Sequence, residues 1–522
     1  MTSPDLYDGC TVGHLFRRAI ERGGDRIAFV DEDTSLTYRQ FGARLSGIVQ
    51  ALEARGLARG DAVATLSDNR IDAYLVTAAA NTMGVRSTAM HPLGSADDHA
   101  YILSDAEIGT LVFDPAAHGE RAALLAERAP GLRLLALGPS SLAPDLLADA
   151  AARPPAPLVP RAAPEDVANL TYTGGTSGRP KGVMTTHRVR VTMVMSELAE
   201  WDWPAEPRFL AITPITHAAG AIVLPVLMRS GTVIVARGFE PARFSALVRR
   251  HRATMSFVVP TMLYRMLDDP SQGDDALGSL EVVIYGASPI SPARLAQAVG
   301  RYGPRFMQLY GQTEAPNAIT ALRRADHDPV AHPERLASCG VPIGPIQVAL
   351  LDEAGGEVPD GEVGEICVRG PLVMAGYWKR PEETAQAFRH GWLHTGDLAR
   401  RDAQGFLYIV DRSKDMIVSG GFNVFPREVE DVLTAHPAVA AAGVIGVPDE
   451  TWGEAVKAVV VLHAGMHVDA AELIALVREA KGPVQAPKTV DFVASLPVTG
   501  LGKPDKKALR AAYWGGATRG VA

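Results

Sequence analysis

The first segment of the chain carries apolar residues at helical spacing, namely Val12, Leu15, Phe16, Ala19 and Ile20. Side chains three and four positions apart share one face of a helix, so the spacing predicts a helix over residues 12–23. Short apolar runs at residues 27–30 and 36–38 then predict strands. The same order continues with a helix at 39–55, a strand at 62–66, a helix at 71–83 and an apolar run at 108–113. This alternation predicts sheets that have helices packed on their faces.

The pattern changes beyond residue 341, where short alternating strands are separated by glycine-rich turns. The segments are IQVALLD, GEVGEICVRG, GWLHTGDLARRD and GFLYIVDR. They predict hairpins of a small antiparallel sheet or barrel. A helix at 426–435, strands at 439–447 and 456–462 and a helix at 470–481 follow. Together they predict a compact α+β unit, whose length of about a hundred residues is typical of a domain.

The composition is that of an ordinary globular chain, with 522 residues of which 47% are hydrophobic and 21% are charged. A chain of this length exceeds what one hydrophobic core supports, so more than one domain is expected. The formal net charge of −8 is spread without a long like-charge run. This charge pattern argues against nucleic acid or an anionic membrane as the principal partner.

The cysteines and the start of the chain bear on the compartment. Cys10, Cys339 and Cys367 are odd in number and far apart, and no two have CxxC spacing. Neither a disulfide framework nor a zinc site is therefore indicated. The first residues lack the regions of a secretory signal, and apolar runs such as 218–228 are too short for a transmembrane span. A reducing cytoplasm is the expected location.

A glycine-rich stretch, TGGTSGRPKG, occupies residues 173–182 and directly follows a strand predicted at 167–171. Glycines let the backbone approach a ligand, while amide N–H groups, hydroxyls and the ammonium of Lys181 are groups that hold phosphate oxygens. The stretch therefore predicts phosphate binding, with a flexible linker as the alternative. Its spacing differs from that of a P-loop NTPase. Thr186 is expected to cap a helix that begins near His187.

Further polar residues follow predicted strands or turns, where ligand-binding side chains of α/β proteins often lie. They are His217, Tyr310, Glu314, Asp397 and Lys503, together with a small-residue turn, GASPISP, after the strand at 282–285. Each has an ordinary alternative: a core histidine, a packed tyrosine, a surface carboxylate, a turn aspartate and a solvated lysine. Taken singly, they are weak evidence of function.

Five motifs stand in a fixed order along the chain: TGGTSGRPKG, YGQTE, HTGDLARRD, DRSKDMIVSGGFNVFPREVE and a terminal GKPDKKALR. On these motifs the chain resembles, over essentially its whole length, the adenylate-forming superfamily. That superfamily comprises acyl-CoA synthetases, non-ribosomal peptide adenylation domains and luciferases. The chain departs from the pattern at Gly174, where serine is usual, and at Thr216, where an aromatic residue often precedes the histidine.

The resemblance implies an α/β fold with two unequal domains. The large N-terminal adenylation domain, at residues 1–411, would contain two α/β sheet subdomains and a small antiparallel β-barrel, and would bind ATP and the acyl substrate. The small, mobile α+β domain at residues 412–522 would supply the catalytic lysine and the access for CoA. ATP, Mg²⁺ and CoA are the implied cofactors.

The resemblance also implies which residues bind the nucleotide. Those for the phosphates are Thr173, Gly174, Gly175, Thr176, Ser177, Gly178 and Lys181. Those for adenine and its surroundings are Gly286, Ala287, Ser288, Tyr310, Gly311, Gln312, Thr313 and Ile409. Asp397 would accept hydrogen bonds from both ribose hydroxyls beside Arg412. Thr173 and Glu314 would hold Mg²⁺, which spreads the charge of the leaving pyrophosphate.

The implied chemistry consists of two half-reactions and uses no protein nucleophile. The implied catalytic residues are Lys503, Glu314, Thr173 and His217. Lys503 would neutralise charge between the attacking carboxylate and the α-phosphate. The C-terminal domain would then rotate about a hinge at Lys414, which withdraws Lys503 and brings Gly421 beside the incoming pantetheine thiol.

The predicted acyl pocket is made largely of small residues: His217, Ala218, Ala219, Gly220, Gly311 and Asn317, with Ala287 nearby. Small residues leave volume, which favours an apolar acid of medium or bulky size, such as a medium- to long-chain fatty acid or an aromatic or alicyclic acid. An amino acid is disfavoured because residues 213–220 offer no aspartate for an α-ammonium group. No arginine can be assigned to the pocket, so a dicarboxylate is disfavoured as well.

The leading hypothesis is an ATP-dependent acid–CoA ligase. A stand-alone adenylating enzyme that loads a separate acyl-carrier protein shares the first half-reaction and stays open, as does a homodimer. A non-catalytic nucleotide-binding protein is a third alternative, because fold alone does not give activity. The joint presence of Glu314, Asp397 and Lys503 weighs against it.

Overall fold

The computed structural model describes residues 9–31, 34–173, 179–412, 415–419, 422–449, 452–498 and 505–514. The described helices, in chain order, are α1 (Val12–Gly23), α2 (Tyr38–Glu53), α3 (Ile71–Met83), α4 (Ala96–Asp105), α5 (Pro115–Arg128), α6 (Leu146–Ala151), α7 (His187–Glu200), α8 (Ala218–Met228), α9 (Pro241–His251), α10 (Pro260–Asp268), α11 (Pro292–Tyr302), α12 (Pro381–Ala387), α13 (Pro426–Thr434), α14 (Ala470–Lys481) and α15 (Lys506–Tyr513). Short 3₁₀ turns lie at Arg324–Asp326, Pro333–Ala337 and Arg389–Gly391. In the described part of the chain, no helix is both long enough and apolar enough to cross a membrane.

The described strands, in chain order, are β1 (Ile27–Val30), β2 (Ser35–Thr37), β3 (Ala62–Leu66), β4 (Arg86–Met90), β5 (Thr110–Phe113), β6 (Arg133–Ala136), β7 (Val167–Thr173), β8 (Lys181–Thr186), β9 (Arg208–Ala211), β10 (Thr232–Val235), β11 (Met255–Val258), β12 (Val282–Tyr285), β13 (Phe306–Gln312), β14 (Ala315–Leu322), β15 (Val341–Pro342), β16 (Gln347–Leu351), β17 (Gly364–Arg369), β18 (Gly376–Tyr377), β19 (Leu393–Arg401), β20 (Leu407–Arg412), β21 (Ile417–Ser419), β22 (Phe422–Val424), β23 (Val439–Asp449), β24 (Gly453–Leu462) and β25 (Thr489–Phe492).

These strands form four sheets. A nine-stranded sheet has the order β15-β14-β13-β12-β11-β9-β10-β1-β2, and a seven-stranded sheet has the order β18-β8-β7-β4-β3-β5-β6. A four-stranded antiparallel sheet has the order β16-β17-β19-β20. The last sheet has the order β22-β21-β24-β23, with β25 beside β24. Parallel pairs dominate the centres of the two large sheets, as the alternation of strands and helices predicts.

The two large sheets share one hydrophobic core. Val63 and Val112 from the seven-stranded sheet belong to the same buried cluster as Phe209 and Ile284 from the nine-stranded sheet. Helices α1, α2, α3, α7 and α8 pack against one another in this shared layer. Side chains alternate along a strand, so Leu210 faces a separate core beneath α9, α10 and α11. This arrangement confirms the predicted mixed α/β architecture.

Local signals explain where several helices begin. The Thr37 hydroxyl accepts the backbone N–H of Gln40 at 3.2 Å, and the Gln40 side chain accepts the N–H of Thr37 at 2.8 Å, which is a capping box. The strand predicted at 36–38 therefore ends one residue early, because Tyr38 already starts α2. Thr186 caps α7 as expected, with Val189 N–H donating to its hydroxyl at 3.3 Å.

The predicted small barrel is an open antiparallel sheet in the described part of the chain. Strands β16, β17, β19 and β20 pair in sequence, and no described pairing joins β20 back to β16. Hairpin signals identify neighbouring strands but do not fix whether the outer two meet. The closure into a barrel is therefore not confirmed, although the sheet itself is.

The C-terminal unit begins where the chain leaves this third sheet. Strand β20 ends at Arg412, and β21 already belongs to the last sheet. Helices α13 and α14 pack on that sheet around a core of its own, which includes Val429, Val456 and Leu473. The helices and strands predicted between residues 426 and 481 are confirmed to within a few residues.

Candidate active site

Strands β7 and β8, which flank the predicted phosphate loop in the sequence, form a hairpin. Thr173 and Lys181 face each other as the last described pair of that hairpin. The ammonium of Lys181 pairs with the carboxylate of Glu383, and its Nζ lies 5.2 Å from the centroid of the Tyr377 ring. The predicted positions Gly174, Gly175, Thr176, Ser177 and Gly178 lie outside the described residues.

A second hairpin, β13–β14, holds the YGQTE motif. Tyr310, Gly311 and Gln312 end β13, and Thr313 and Glu314 form the turn. A Cβ on Gly311 would overlap the backbone nitrogen of Asn317, so this position requires glycine. Asn317 itself has φ +57°, a left-handed conformation that asparagine tolerates better than most residues. The tight hairpin therefore brings Tyr310, Glu314 and Asn317 into one small region.

Asp397 joins three strands through its carboxylate. The hydroxyl of Tyr310 donates to Oδ2 at 2.7 Å, and Nε of Arg412 donates to Oδ1 at 2.9 Å. Asp397 is only 4% exposed, so its carboxylate is shielded from water, whereas half of the Arg412 side chain is exposed. Each carboxylate oxygen still has a second lone pair, which leaves acceptor capacity for a further ligand. Ile409, on the same strand as Arg412, is half-buried.

The electrostatics around Asp397 fix the protonation states of Tyr310 and Arg412. Burial, and then the negative charge of Asp397, raises the pKa of Tyr310 well above its ordinary value. The same negative charge raises the pKa of Arg412. The phenol therefore stays protonated and the guanidinium stays charged, so both remain donors to Asp397.

Tyr377 connects Glu314 to the β7–β8 hairpin. The Tyr377 hydroxyl donates to Glu314 Oε1 at 2.8 Å, and Tyr377 pairs with Val183 because β18 lies beside β8. Burial, and then the charge of Glu314, raises the pKa of Tyr377. The hydroxyl of Thr173 and the carboxylate of Glu314 are hard oxygen donors of the kind that Mg²⁺ prefers, so the residues present fit this ion.

The turn after β12 runs beside the strand that holds Tyr310. Gly286 is buried, and a Cβ there would lie 2.6 Å from the carbonyl oxygen of Leu309 on β13. Ala287 has φ +66°, and its side chain is exposed. The backbone of Gly286, Ala287 and Ser288 is thus free of bulky side chains next to Tyr310, which suits the approach of a flat ring.

His217 lies at the N-terminus of α8, where the two large sheets meet. Its Nδ1 is 2.8 Å from the Thr216 hydroxyl, and its ring packs edge-to-face on His91 with centroids 4.9 Å apart. His91 follows β4 of the seven-stranded sheet, and Leu93 N–H donates to its Nδ1 at 3.1 Å. Asn69 also fixes this junction, since its side chain accepts the N–H of Ile215 at 2.9 Å.

The structure corrects one inference about the predicted acyl pocket. A Cβ on Gly220 would overlap the carbonyl oxygen of Ile215, so the space beside this glycine is filled by main chain. The small size of Gly220 reflects the tight start of α8 and provides no open volume in that direction. Ala218 is half-buried and Ala219 is buried, and their assignment to the pocket stays a prediction.

Some residues of this region carry no local signal in the sequence. Tyr377, Glu383 and His91 contact predicted site residues only because strands distant in sequence pair or meet. A pattern search around each motif cannot find them, since the contacts are set by sheet order.

The C-terminal motifs are described in part. Lys414, Gly421 and Lys503 lie outside the described residues. Their neighbours form ion pairs: Lys506 with Glu430 at 2.9 Å and Arg510 with Asp415 at 2.6 Å. Asp411 is the first residue of the DRSKDMIVSGGFNVFPREVE motif, and burial raises the pKa of its carboxyl to about 6.

The chain matches the family model for AMP-binding enzymes over residues 16–378 and the model for the AMP-binding enzyme C-terminal domain over residues 428–503. It therefore belongs to the AMP-binding enzyme family, and the resemblance to the adenylate-forming superfamily is confirmed.

Individual relatives cover almost the whole chain. A medium/long-chain-fatty-acid–CoA ligase, FadD8 of Mycobacterium tuberculosis, is 51% identical over 98% of this chain and 91% of its own. A feruloyl-CoA synthase of Amycolatopsis sp is 41% identical over 91% of this chain and 94% of its own. Among solved structures, the amide bond synthetase McbA from Marinactinospora thermotolerans has a TM-score of 0.90 and 36% identity, covering 96% of this chain and 100% of its own.

A substitution at Gly220 tests the close approach of Ile215. Gly220→Ala is expected to lower the free energy of unfolding by about 2 kcal/mol or more, because the added methyl must displace main chain. Gly109→Ala is the matched control, since a Cβ there meets nothing within 4 Å. Urea unfolding of both variants gives the two values. Equal stability of the two variants would mean that α8 has room for the side chain.

Proposed function

We propose that the protein is an ATP-dependent carboxylic acid–CoA ligase that forms an acyl-adenylate and then an acyl-CoA. The observation that carries this proposal is the set of contacts made by the β13–β14 hairpin. Its Tyr310 donates to Asp397, and its Glu314 accepts from Tyr377, whose ring lies beside Lys181 of the β7–β8 hairpin. The buried Asp397 carboxylate, with spare acceptor capacity, suits the ribose diol. Glu314 and Lys181 suit a metal-bound polyphosphate. The identity to FadD8 and to a feruloyl-CoA synthase supports the same reaction class.

In the proposed binding mode, adenine stacks on Tyr310 and its edge meets the backbone of Gly286, Ala287 and Ser288. Asp397 accepts both ribose hydroxyls while Arg412 holds the carboxylate in place. Gln312, Thr313, Gly311 and Ile409 complete the nucleoside site. The support for this mode is the glycine-dependent packing of the β12 turn against β13.

The phosphates are proposed to bind at the tip of the β7–β8 hairpin. Thr173, Thr176, Ser177 and Lys181 would hold the β and γ phosphates, with the loop glycines Gly174, Gly175 and Gly178 providing N–H groups. Lys181 would exchange Glu383 for phosphate oxygens, which carry more negative charge. Thr173 and Glu314 would hold Mg²⁺, whose charge stabilises the leaving pyrophosphate.

The first proposed step forms one bond and breaks one. A carboxylate oxygen of the acid attacks the α-phosphorus, the bond from that phosphorus to the bridging oxygen breaks, and pyrophosphate leaves. Lys503 would neutralise the negative charge that gathers between the carboxylate and the α-phosphate. In the second step a deprotonated thiol attacks the acyl carbon, and AMP leaves with the electron pair.

The two steps are proposed to use two orientations of the C-terminal domain. The proposed domains are residues 1–411 and 412–522, and Lys414 is the proposed hinge. Rotation would withdraw Lys503 and bring Gly421 to the thiol path. The change of sheet between Arg412 and Ile417 supports a boundary in this segment.

The proposed acid is apolar and of medium or larger size: a medium- to long-chain fatty acid or an aromatic or alicyclic acid. The fatty-acid and feruloyl substrates that give FadD8 and the feruloyl-CoA synthase their names support these two classes and do not decide between them. The proposed pocket lies between His217, Ala218 and Ala219 on one side and Gly311 and Asn317 on the other. A cytoplasmic location is proposed as well, in line with the absence of disulfides among the three cysteines.

The acceptor in the second step has two further candidates. A separate acyl-carrier protein offers the same pantetheine thiol as CoA. The likeness to the amide bond synthetase McbA makes an amine the other candidate. An acid panel tests all of these together, with pyrophosphate release measured first and CoA, carrier protein or amine added afterwards. Acid-dependent pyrophosphate release with CoA consumption is expected, and no release with any acid of the panel would contradict the proposal.

The ribose site is tested with Asp397→Ala. The variant loses a charged acceptor worth roughly 1.5–3 kcal/mol, so KM for ATP is expected to rise about 10- to 100-fold. Asp360→Ala is the matched control, because Asp360 is exposed and pairs only with Arg401 at 2.6 Å among described residues. Steady-state pyrophosphate release at saturating acid gives both values. An unchanged KM for ATP would place Asp397 in a purely structural role.

The division of labour in the C-terminal domain is tested with Lys503→Ala and Gly421→Leu. Lys503→Ala is expected to slow adenylation by at least about 100-fold, as for loss of one oxyanion donor, and to spare thiol attack on preformed acyl-AMP. Gly421→Leu is expected to block thiol attack and to spare pyrophosphate exchange. Lys507→Ala, at an exposed neighbour, is the control. Equal losses in both half-reactions for both variants would contradict the proposed rotation.

A further inference from the structure

Three side chains of types that bind metals meet on the four-stranded sheet, and the chemistry above uses none of them. Cys367 on β17 and His394 on β19 are opposite each other in the strand register, with Sγ and Nδ1 3.4 Å apart. Oε2 of Glu365, also on β17, lies 2.6 Å from the same Nδ1. Among the described residues, no other group of three or more His, Cys, Asp or Glu side chains brings its ligand atoms within 4.8 Å of one another. The sheet thus gathers a thiol, an imidazole and a carboxylate at one point.

The hydrogen bonds of His394 explain why this point suits a cation. Its Nε2 lies 3.1 Å from the backbone carbonyl oxygen of Arg389, and a carbonyl oxygen only accepts, so Nε2 carries a proton. Its Nδ1 faces the carboxylate of Glu365, which is a second acceptor. The space between Nδ1 and Oε2 therefore holds either a proton or a metal ion. An Nε2–H group that donates to a backbone carbonyl is also the usual orientation of a histidine that binds a metal through Nδ1.

The sheet holds the three ligands in place and screens them from water. Only 5% of the His394 side chain and 16% of the Glu365 side chain are exposed, and Cys367 is fully buried. The other carboxylate oxygen, Glu365 Oε1, accepts the backbone N–H of Gly396 at 2.7 Å. Tetrahedral coordination of Zn²⁺ by sulfur, nitrogen and oxygen separates the ligand atoms by about 3.3–3.6 Å. Sγ and Nδ1 already have this spacing, whereas Oε2 has to withdraw by roughly 0.7 Å.

Two features oppose a cation at this point, and both can give way. Nη2 of Arg389 lies 3.3 Å from Nδ1 of His394 and 3.5 Å from Oε2 of Glu365. The Arg389 side chain is 47% exposed, so it can turn into solvent, and a surface ion pair contributes little free energy. Burial, and then the charge of Glu365, raises the pKa of the Cys367 thiol to about 12. The thiol is therefore protonated by itself, but a bound Zn²⁺ takes the place of that proton.

We propose that Glu365 Oε2, Cys367 Sγ and His394 Nδ1 form a binding site for one Zn²⁺ ion, with water at the fourth position. A thiolate together with an imidazole selects Zn²⁺ over Mg²⁺, which prefers oxygen ligands. The site is therefore distinct from the proposed Mg²⁺ ligands, and it does not depend on the proposed ligase activity. Cysteine spacing alone does not indicate it, because the ligands come from two strands that pair only in the fold.

The test measures Zn²⁺ binding to the untagged chain, without ATP, by competition with a chromophoric chelator. The wild type is expected to bind one Zn²⁺ ion per chain. Co²⁺ in the same site is expected to give a sulfur-to-cobalt charge-transfer absorption band, which a site without a thiolate cannot give. Cys367→Ser and His394→Asn each remove one ligand. Cys339→Ser is the matched control, since Cys339 is also a buried free cysteine but belongs to no such group among the described residues.

The expected readouts are the Kd for Zn²⁺ and the Co²⁺ spectrum. Cys367→Ser and His394→Asn are expected to raise Kd at least about 10- to 100-fold, because even residues that only orient a metal ligand contribute this much. Cys367→Ser also loses the charge-transfer band, while Cys339→Ser keeps both the affinity and the band. Arg389→Gln is expected to lower Kd about two- to fivefold, because a competing positive charge is removed.

The opposite results overturn the proposal. A wild type that does not bind Zn²⁺, or equal Kd in the wild type and both ligand variants, would show that Glu365 and His394 form only an ion pair. A charge-transfer band that survives in Cys367→Ser and disappears in Cys339→Ser would assign the metal to another cysteine. Where a ligand variant fails to fold, absence of the band in the wild type decides against the site, and its presence together with tighter binding by Arg389→Gln decides for it.

Discussion

The buried carboxylate of Asp397 is the interaction on which the arrangement of this molecule depends. It receives Tyr310 from the nine-stranded sheet and Arg412 from the last strand before the C-terminal unit. A charge removed from water needs a close counter-charge and hydrogen-bond donors, and Asp397 has both in Arg412 and Tyr310. Removing it would leave a guanidinium and a phenol without their acceptor. The geometry of three strands is therefore tied to one group.

A second contact connects the residues proposed to hold Mg²⁺ with those proposed to hold the phosphates, and it runs through Tyr377. Tyr377 donates to Glu314 while its ring faces Lys181, so it links the β13–β14 hairpin to the β7–β8 hairpin. Lys181 pairs with Glu383 on α12. A triphosphate that bears several negative charges competes with this single carboxylate for the ammonium. On the proposed function, ATP binding exchanges an internal ion pair for a substrate ion pair at little electrostatic cost.

The sequence predicts what is local and fails where contacts are distant. Helical spacing identifies α1 and α3 with their observed bounds, and Thr186 predicts the start of α7. The short apolar run at 36–38 predicts a strand that includes Tyr38. In the structure Tyr38 is the first residue of α2, because Thr37 and Gln40 form a capping box. Tyr310, Glu314 and Asp397 are found through motifs. Their partner Tyr377 and the His91–His217 contact depend on which strands are neighbours, and no local pattern encodes that.

Among the described residues, the contacts between the proposed domains include two polar ones. Arg400 pairs with Glu428 at 3.1 Å, and the Thr434 hydroxyl donates to that of Ser291 at 3.4 Å. A cavity of about 650 Å³ lies between the third sheet and helix α13. Polar contacts of this kind are compatible with relative motion of domains.

A boundary at the proposed hinge would separate nucleoside binding from the groups that act in the two half-reactions. Asp397 and Tyr310 belong to the larger proposed domain, and Arg412, the first residue of the smaller one, ends the last strand before the proposed hinge. Lys503 and Gly421 both follow the proposed hinge in the sequence. A rotation at Lys414 would therefore leave the proposed nucleoside site intact, because both residues of the Asp397–Arg412 ion pair precede the hinge. Only the groups that distinguish adenylation from thiol attack would change places. An acyl-adenylate bound through its ribose would then stay in place during the domain rotation. This retention is the condition for a single pocket to perform both half-reactions.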